Sequence, residues 1–144
     1  MYLKAIQIQN FRGIKDLNVT FNDKLNVIIG PNGSHKTALM DAIRLFYSWG
    51  NPVKDFEITK EDFYREIVHN EDGTVSEDVS GKIVFDYFFC DLSPKQQGAF
   101  YAYLFKDGTN ILARVTVTYE LNPKGRIVTL YPTISVLCEI VRAI

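Results

Sequence analysis

The sequence predicts an α/β fold in which an apolar strand feeds a glycine-containing loop and then an amphipathic helix. Three observations carry that prediction. Residues 25–29 (LNVII) form a nearly continuous apolar run, the pattern of a strand buried on both faces. Leu39, Ala42, Ile43 and Phe46 recur at helical spacing over 36–49, with Asp41 and Arg44 on the opposite side. Further on, Ile111, Ala113, Val115, Val117, Tyr119 and Leu121 alternate with more polar residues, as in a strand with one buried face.

Taken in order, residues 2–10 alternate loosely around Ile6 and Ile8 and predict a strand. Phe11-Arg12-Gly13 breaks it. Leu17, Val19 and Phe21 predict a second short strand over 17–21, closed by Asn22-Asp23. The buried strand 25–29 and the helix follow, and Gly50-Asn51-Pro52 stops the helix. Thr59 with Asp62 makes a capping box for a short helix carrying Phe63 and Ile67. Residues 69–81 are acidic and poor in packing residues, so a flexible loop is expected. Residues 82–90 read as a strand. Ser93, Pro94 and Gln96 then have the chemistry of a helix start, and that helix should run past Phe100 and Tyr103 to stop near Asp107-Gly108. Asn122 to Gly125 is a turn that returns residues 126–133 as a hairpin. Apolar residues at 137, 140, 141 and 144 predict a closing helix over 134–144.

Composition narrows the function. The 144 residues are 47% hydrophobic and 23% charged, which argues against a chain disordered throughout. Sixteen basic and seventeen acidic residues give a net charge of -1, which is not the balance of a free-standing basic nucleic-acid module. Cys90 and Cys138 make no disulfide framework and read as free thiols. No signal peptide opens the chain, and no apolar run approaches the ~20 residues of a membrane span. A cytoplasmic location without membrane contact is expected.

The chemistry-bearing segment is Gly30-Pro31-Asn32-Gly33-Ser34-His35-Lys36-Thr37. It lies between strand and helix, as a phosphate-binding loop requires. The first helical turn offers unpaired N–H groups and a partial positive charge to an anion. A tight loop aims further N–H groups at the same point. Lys36 would reach the terminal phosphates, and the Thr37 hydroxyl would help hold Mg²⁺. One position departs from the usual pattern: His35 stands where a glycine precedes the lysine. Glycine there permits positive φ or close approach to phosphate. Histidine is enriched among non-glycine residues at positive φ, so the loop can either survive the change or degenerate.

The stretch Ile6 to Ile14 (IQIQNFRGI), the run Val27 to Thr37 (VIIGPNGSHKT) and Leu39 to Ile43 (LMDAI) together resemble the N-terminal head segment of the SMC/RecF/OLD group of ABC-type ATPases. Within that group Asp62-Phe63-Tyr64 and Asp91-Leu92-Ser93 lean toward the OLD family, which joins the ATPase to a C-terminal Toprim nuclease. The resemblance implies a P-loop NTPase fold, the N-terminal lobe of an ABC/SMC-type head with mixed and antiparallel strands. It implies that residues 1–144 are part of a longer head domain. It implies ATP and Mg²⁺ as cofactors, with Gly30, Pro31, Asn32, Gly33, Ser34, His35, Lys36 and Thr37 around the nucleotide and Thr37 at the metal. Asn10 and Arg12 match the group's Asn-Phe-Arg segment, where the arginine can meet phosphate; Asp41 is expected to be structural. DNA and a second ATPase head are the implied partners.

The group's Gln-bearing loop, signature helix and Asp-Glu pair are not seen in the sequence, and neither is a Toprim acidic cluster, so no catalytic residue is assigned. Asp86, after Ile83-Val84-Phe85, only imitates the Asp of the Asp-Glu pair. Gln96 and Gln97, His69, the acidic run 71–78 and the aromatic stretch 85–105 are expected to be structural or solvated. Three functions stay open: an OLD-type ATPase–nuclease, a RecF- or SMC-type DNA repair or tethering ATPase without a nuclease, and a non-enzymatic assembly module with a degenerate loop.

Overall fold

Strands β1 (Tyr2–Phe11) and β5 (Lys82–Cys90) form the centre of a six-stranded sheet. The computed structural model describes residues 1–48, 57–70 and 72–130. β2 (Ile14–Thr20) flanks β1, and β7 (Asn110–Leu121) flanks β5. The outer edge of β7 is shared by β6 (Leu104–Asp107) at one end and β8 (Ile127–Leu130) at the other. Every strand pair among the described residues is antiparallel.

The register explains the core. Ile6 stands opposite Tyr87, and Ile8 opposite Phe85. Phe85, Tyr87 and Phe89 in turn face Val117, Val115 and Ala113. Alternation puts all these side chains on one face of the sheet, and all are buried. Helix α1 (Lys36–Tyr47) covers that face with Ala38, Leu39 and Ala42. Two small alanines let the helix lie close to the sheet. The ring of Phe46 then sits 4.8 Å from both Tyr87 and Phe89. The Tyr87 hydroxyl donates to the Ala42 carbonyl at 2.6 Å, so the buried phenol is satisfied.

The other face is more polar. At its centre Asp86 accepts two hydrogen bonds from Arg114, at 3.0 and 2.9 Å, and one from Thr116. This paired carboxylate is a structural strand residue, as the sequence suggested. Arg114 also lies over the Phe88 ring. The aromatic stretch is likewise mostly core: Phe85, Tyr87 and Phe89 are fully buried.

Several expectations are corrected. Residues 25–30 form no strand, and Leu25, Val27 and Ile29 are exposed. Only Ile28 packs against the core. An apolar run becomes a doubly buried strand only where neighbours pair with it, and none does among the described residues. The capping box at Thr59 and Asp62 is present, but it closes only a 3₁₀ turn, Lys60–Asp62. Ile67 lies instead on β3 (Arg65–His69), which pairs with β4 (Val75–Val79) where a loop was expected. Both strands of this hairpin are exposed, so neither carries the one-sided apolar pattern that marks a strand. The Asp72-Gly73 turn was its sign: Gly73 has φ 79°, and Asp72 accepts from the Thr74 backbone N–H at 2.9 Å.

Helix α2 (Pro94–Ala99) begins at the predicted Ser93–Gln96 box but ends early. A 3₁₀ turn, Tyr101–Tyr103, and β6 replace its second half. The helix buries none of its residues, so nothing extends it against the competing pairing with β7. Trp49, the helix stop at 50–52, residues 131–133, Cys138 and the closing helix 134–144 lie outside the described residues.

Burial holds the Tyr87 phenol well above the usual tyrosine range. The folded chain therefore keeps this proton where the unfolded chain loses it, and stability falls as pH rises past about 10. Tyr87→Phe should lower unfolding free energy by about 1 kcal/mol at neutral pH. The gap between the two proteins should narrow above about pH 10, because the variant lacks that proton linkage. Urea melts at both pH values check this; a gap that widens at alkaline pH would contradict it.

Candidate functional site

Phe21 anchors the start of the loop region. Its ring is buried and its N–H donates to the Lys4 carbonyl at 2.8 Å. The chain then leaves the sheet and turns twice before α1. At Gly30 a Cβ would come within 2.7 Å of Ser34 Oγ, so a side chain there would have to turn the Ser34 hydroxyl away. The Ser34 N–H donates to the Pro31 carbonyl at 3.3 Å. Gly33 sits at φ 83° and His35 at φ 59°. The histidine thus adopts the left-handed conformation that glycine commonly supplies, as its residue type allows.

Helix α1 opens directly behind His35. Its first intrahelical bond runs from the Leu39 N–H to the His35 carbonyl at 3.0 Å. The N–H groups of Lys36, Thr37 and Ala38 consequently have no partner within the helix. The first turn holds no acidic residue, so the positive end of the helix dipole is left without a local countercharge. Lys36 Nζ folds back over the loop and donates to the Gly30 and Pro31 carbonyls, both at 2.6 Å, and to Ser34 Oγ at 3.3 Å. Donors, dipole and ammonium all suit a polyanion.

Thr37 is exposed beside Lys36. Its hydroxyl is a hard oxygen of the kind Mg²⁺ takes. No group of three or more His, Cys, Asp or Glu residues is placed to hold a metal among the described residues. Thr37 could give such an ion one oxygen, and the phosphate oxygens of a nucleotide and water could give it others.

The second loop of the site is the β1–β2 turn. Asn10 and Arg12 lie at φ 57° and 51°. Left-handed non-glycine residues are uncommon and cost of order 1 kcal/mol each, so surrounding contacts must hold them. The Asn10 carbonyl accepts from the Tyr64 N–H at 3.0 Å, and the Arg12 N–H donates to the Asp62 carbonyl at 2.6 Å. The guanidinium completes the arrangement. Arg12 Nε donates to Asp62 at 2.8 Å, and Nη1 donates to Asp41 on α1 at 2.7 Å. Burial works against this charge, but the hydrogen bonds it donates to Asp62 and Asp41 outweigh that and raise the Arg12 pKa. Asp62 also accepts from the Thr59 N–H and hydroxyl.

The structure thus brings Gly30 to Thr37 into one loop and sets the Asn10–Gly13 turn beside it. It gives Arg12 two carboxylate partners. Asp41 has the structural part expected of it. Asp62 as an arginine partner was missed: the pair is 50 residues apart in sequence, and no local pattern encodes such a contact. At the far end of β1 and β5, a cleft of about 640 Å³ is lined by Tyr2, Cys90, Asp91 and Gln97 among others. There the neighbouring Cys90, with some burial, pushes the Tyr2 phenol up to about 12.

The profile of the AAA ATPase domain family matches residues 1–138 of the chain. Two similar proteins are DNA replication and repair proteins RecF. That of Bacillus cytotoxicus is 54% identical over 43 residues, which are 30% of this chain and 12% of the relative. That of Psychromonas ingrahamii is 51% identical over 43 residues, again 30% of this chain and 12% of the relative. The match therefore spans only a small part of either relative. A solved structure, from work on the structural biochemistry of ATP-driven dimerization and DNA-stimulated activation of SMC ATPases, superposes with a TM-score of 0.53 at 16% identity. It covers 94% of this chain and 74% of its own. At that identity the likeness is one of fold: an α/β lobe of the ATPase-head kind.

Removing the Arg12 fork should leave the Asp62 carboxylate, 8% exposed, without its cation. Arg12→Ala should lower unfolding free energy by about 2–3 kcal/mol, as for a mostly buried pair. Lys15→Ala, whose partner Glu66 is exposed, should cost less than about 1 kcal/mol. Chemical denaturation of the two variants checks the contrast; equal costs would contradict it.

Proposed function

Because the chain belongs to the AAA ATPase domain family, whose profile matches residues 1–138, we propose that the loop Gly30–Thr37 binds ATP with Mg²⁺ and serves ATP hydrolysis in a larger DNA-processing protein. The observation that carries this reading is the loop itself. It converges an uncompensated helix N-terminus, left-handed turns at Gly33 and His35, and the Lys36 ammonium on one point.

In this reading Lys36 exchanges its bonds to the Gly30 and Pro31 carbonyls for phosphate oxygens. The backbone N–H groups from Asn32 to Thr37 cradle the phosphates, with Pro31 shaping the turn. Thr37 contributes one oxygen to Mg²⁺, and the ion neutralises charge on the phosphate chain. Asn10 and Arg12 border the site, and Arg12 can pass from Asp41 to phosphate as a forked donor. Hydrolysis needs a group to position the attacking water, and no such group is assigned among the described residues. A second head and further strands complete the site. The exposed Leu25, Val27 and Ile29 support this, since such an apolar run calls for cover.

DNA is the proposed partner of the whole protein. A RecF- or SMC-type ATPase without a nuclease is favoured by the 54% identity over 43 residues to a DNA replication and repair protein. An OLD-type ATPase–nuclease is the second reading, resting on Asp62-Phe63-Tyr64 and Asp91-Leu92-Ser93. In the structure Asp62 and Phe63 are occupied in the fold. A non-enzymatic module is disfavoured because His35 keeps the left-handed turn. A cytoplasmic site of action fits this reading, and no described helix is long and apolar enough to cross a membrane.

Mg-ATP should raise the melting temperature of this chain, by about 2.7 kcal/mol of stabilisation at a hundred times Kd. Lys36→Ala should abolish the shift, and the isolated chain should hydrolyse little. Absence of any shift at millimolar Mg-ATP, or an equal shift in Lys36→Ala, would overturn the assignment.

A further inference from the structure

The side chain of His35 and the bare backbone of Gly13 fit one another. Gly13 does not lie at positive φ, so its conformation does not call for glycine. Space does. A Cβ at Gly13 would overlap His35 Cε1 and lie 2.8 Å from Nδ1 and 3.0 Å from Nε2. The imidazole ring makes no hydrogen bond among the described residues, so the contact is one of shape. The ring hangs from a backbone at φ 59° just before α1, so to clear a Cβ at Gly13 it would have to leave this rotamer and give up its seat.

The two residues join the two loops of the site. Gly13 follows Arg12, whose guanidinium grips Asp41 on α1. His35 precedes Lys36, whose ammonium lies in the phosphate loop. Resting on the Mg-ATP reading above, we propose that His35 is a positioning residue: its imidazole, seated on Gly13, sets the spacing between the Arg12 turn and Lys36, and nucleotide affinity depends on that contact. The residue that departs from the usual loop pattern is then matched by a glycine in the neighbouring turn.

Calorimetric titration with Mg-ATP tests this on the full chain, Gly13→Ala, His35→Gly, the double variant and Lys36→Ala. Gly13→Ala should weaken binding about tenfold, and His35→Gly about threefold through the lost contact, within the coupling range of touching residues. In the His35→Gly background, Gly13→Ala should have no further effect, because the ring it would strike is gone. An unchanged affinity in Gly13→Ala, or an equal loss in both backgrounds, overturns the proposal. Should Gly13→Ala alone fail to fold, a double variant that folds and binds supports the contact, and a double variant that stays unfolded overturns it. A parent chain that does not bind, or Lys36→Ala that binds like the parent, overturns the nucleotide reading itself. Proton NMR adds a readout that a merely structural role would not move. The chain has two histidines, and Mg-ATP should shift the Cε1–H signal of His35 while leaving that of His69 in place. A His35 signal that does not respond overturns the proposal.

Discussion

The grip of one guanidinium on two carboxylates holds the candidate site together. Arg12 lies in the β1–β2 turn, Asp41 on the helix behind the phosphate loop, and Asp62 in the 3₁₀ turn before the hairpin. Buried Phe11 and Phe63, joined by a backbone bridge, pack with Leu39 and Ala42 of α1 beneath these segments, and the charge network ties them together above that core. Its geometry suits arginine in particular, because a planar fork can satisfy two separated acceptors at once. It also explains why the turn tolerates left-handed backbone at Asn10 and Arg12: both carbonyl and amide are tied to the 62–64 segment. Removal of the fork would leave a buried carboxylate without its cation.

Beneath that network the sheet provides rigidity. Tyr87 bonds the Ala42 carbonyl, Phe46 packs on Tyr87 and Phe89, and two alanines let α1 lie close to the strands. The helix axis is therefore fixed by the core, and its N-terminus is fixed with it. A phosphate loop needs this, since its donors are backbone groups whose aim is set by the helix they lead into. Lys36, by contrast, is held by the Gly30 and Pro31 carbonyls and Ser34 Oγ of its own loop, bonds that the proposed nucleotide reading exchanges for phosphate without disturbing the core.

The elements with strong local chemistry were legible in the sequence. The alternation of β7, the Ser93–Gln96 box, the amphipathic helix α1 and the loop residues Gly30 to Thr37 all appear where their patterns place them. The sequence left open whether the loop survives His35; the residue takes the left-handed turn that its type allows. What could not be read depends on partners distant in sequence. Residues 25–29 have the pattern of a doubly buried strand, yet burial requires neighbours that pair with them. The β3–β4 hairpin has no buried face to leave an apolar period, and only Asp72-Gly73 betrays it. The Arg12–Asp62 pair and the seat of His35 on Gly13 join positions that no local rule connects.

The central claim is that Gly30 to Thr37 is the phosphate-binding element of this chain. Amide NMR of the ¹⁵N-labelled chain titrated with Mg-ADP tests it most directly. The structure predicts that the largest shifts fall on the N–H groups of Gly33, Ser34, His35, Lys36 and Thr37, with smaller ones in the Arg12–Gly13 turn. Shifts centred on the cleft around Tyr2 and Cys90, or no shifts at all, would contradict it.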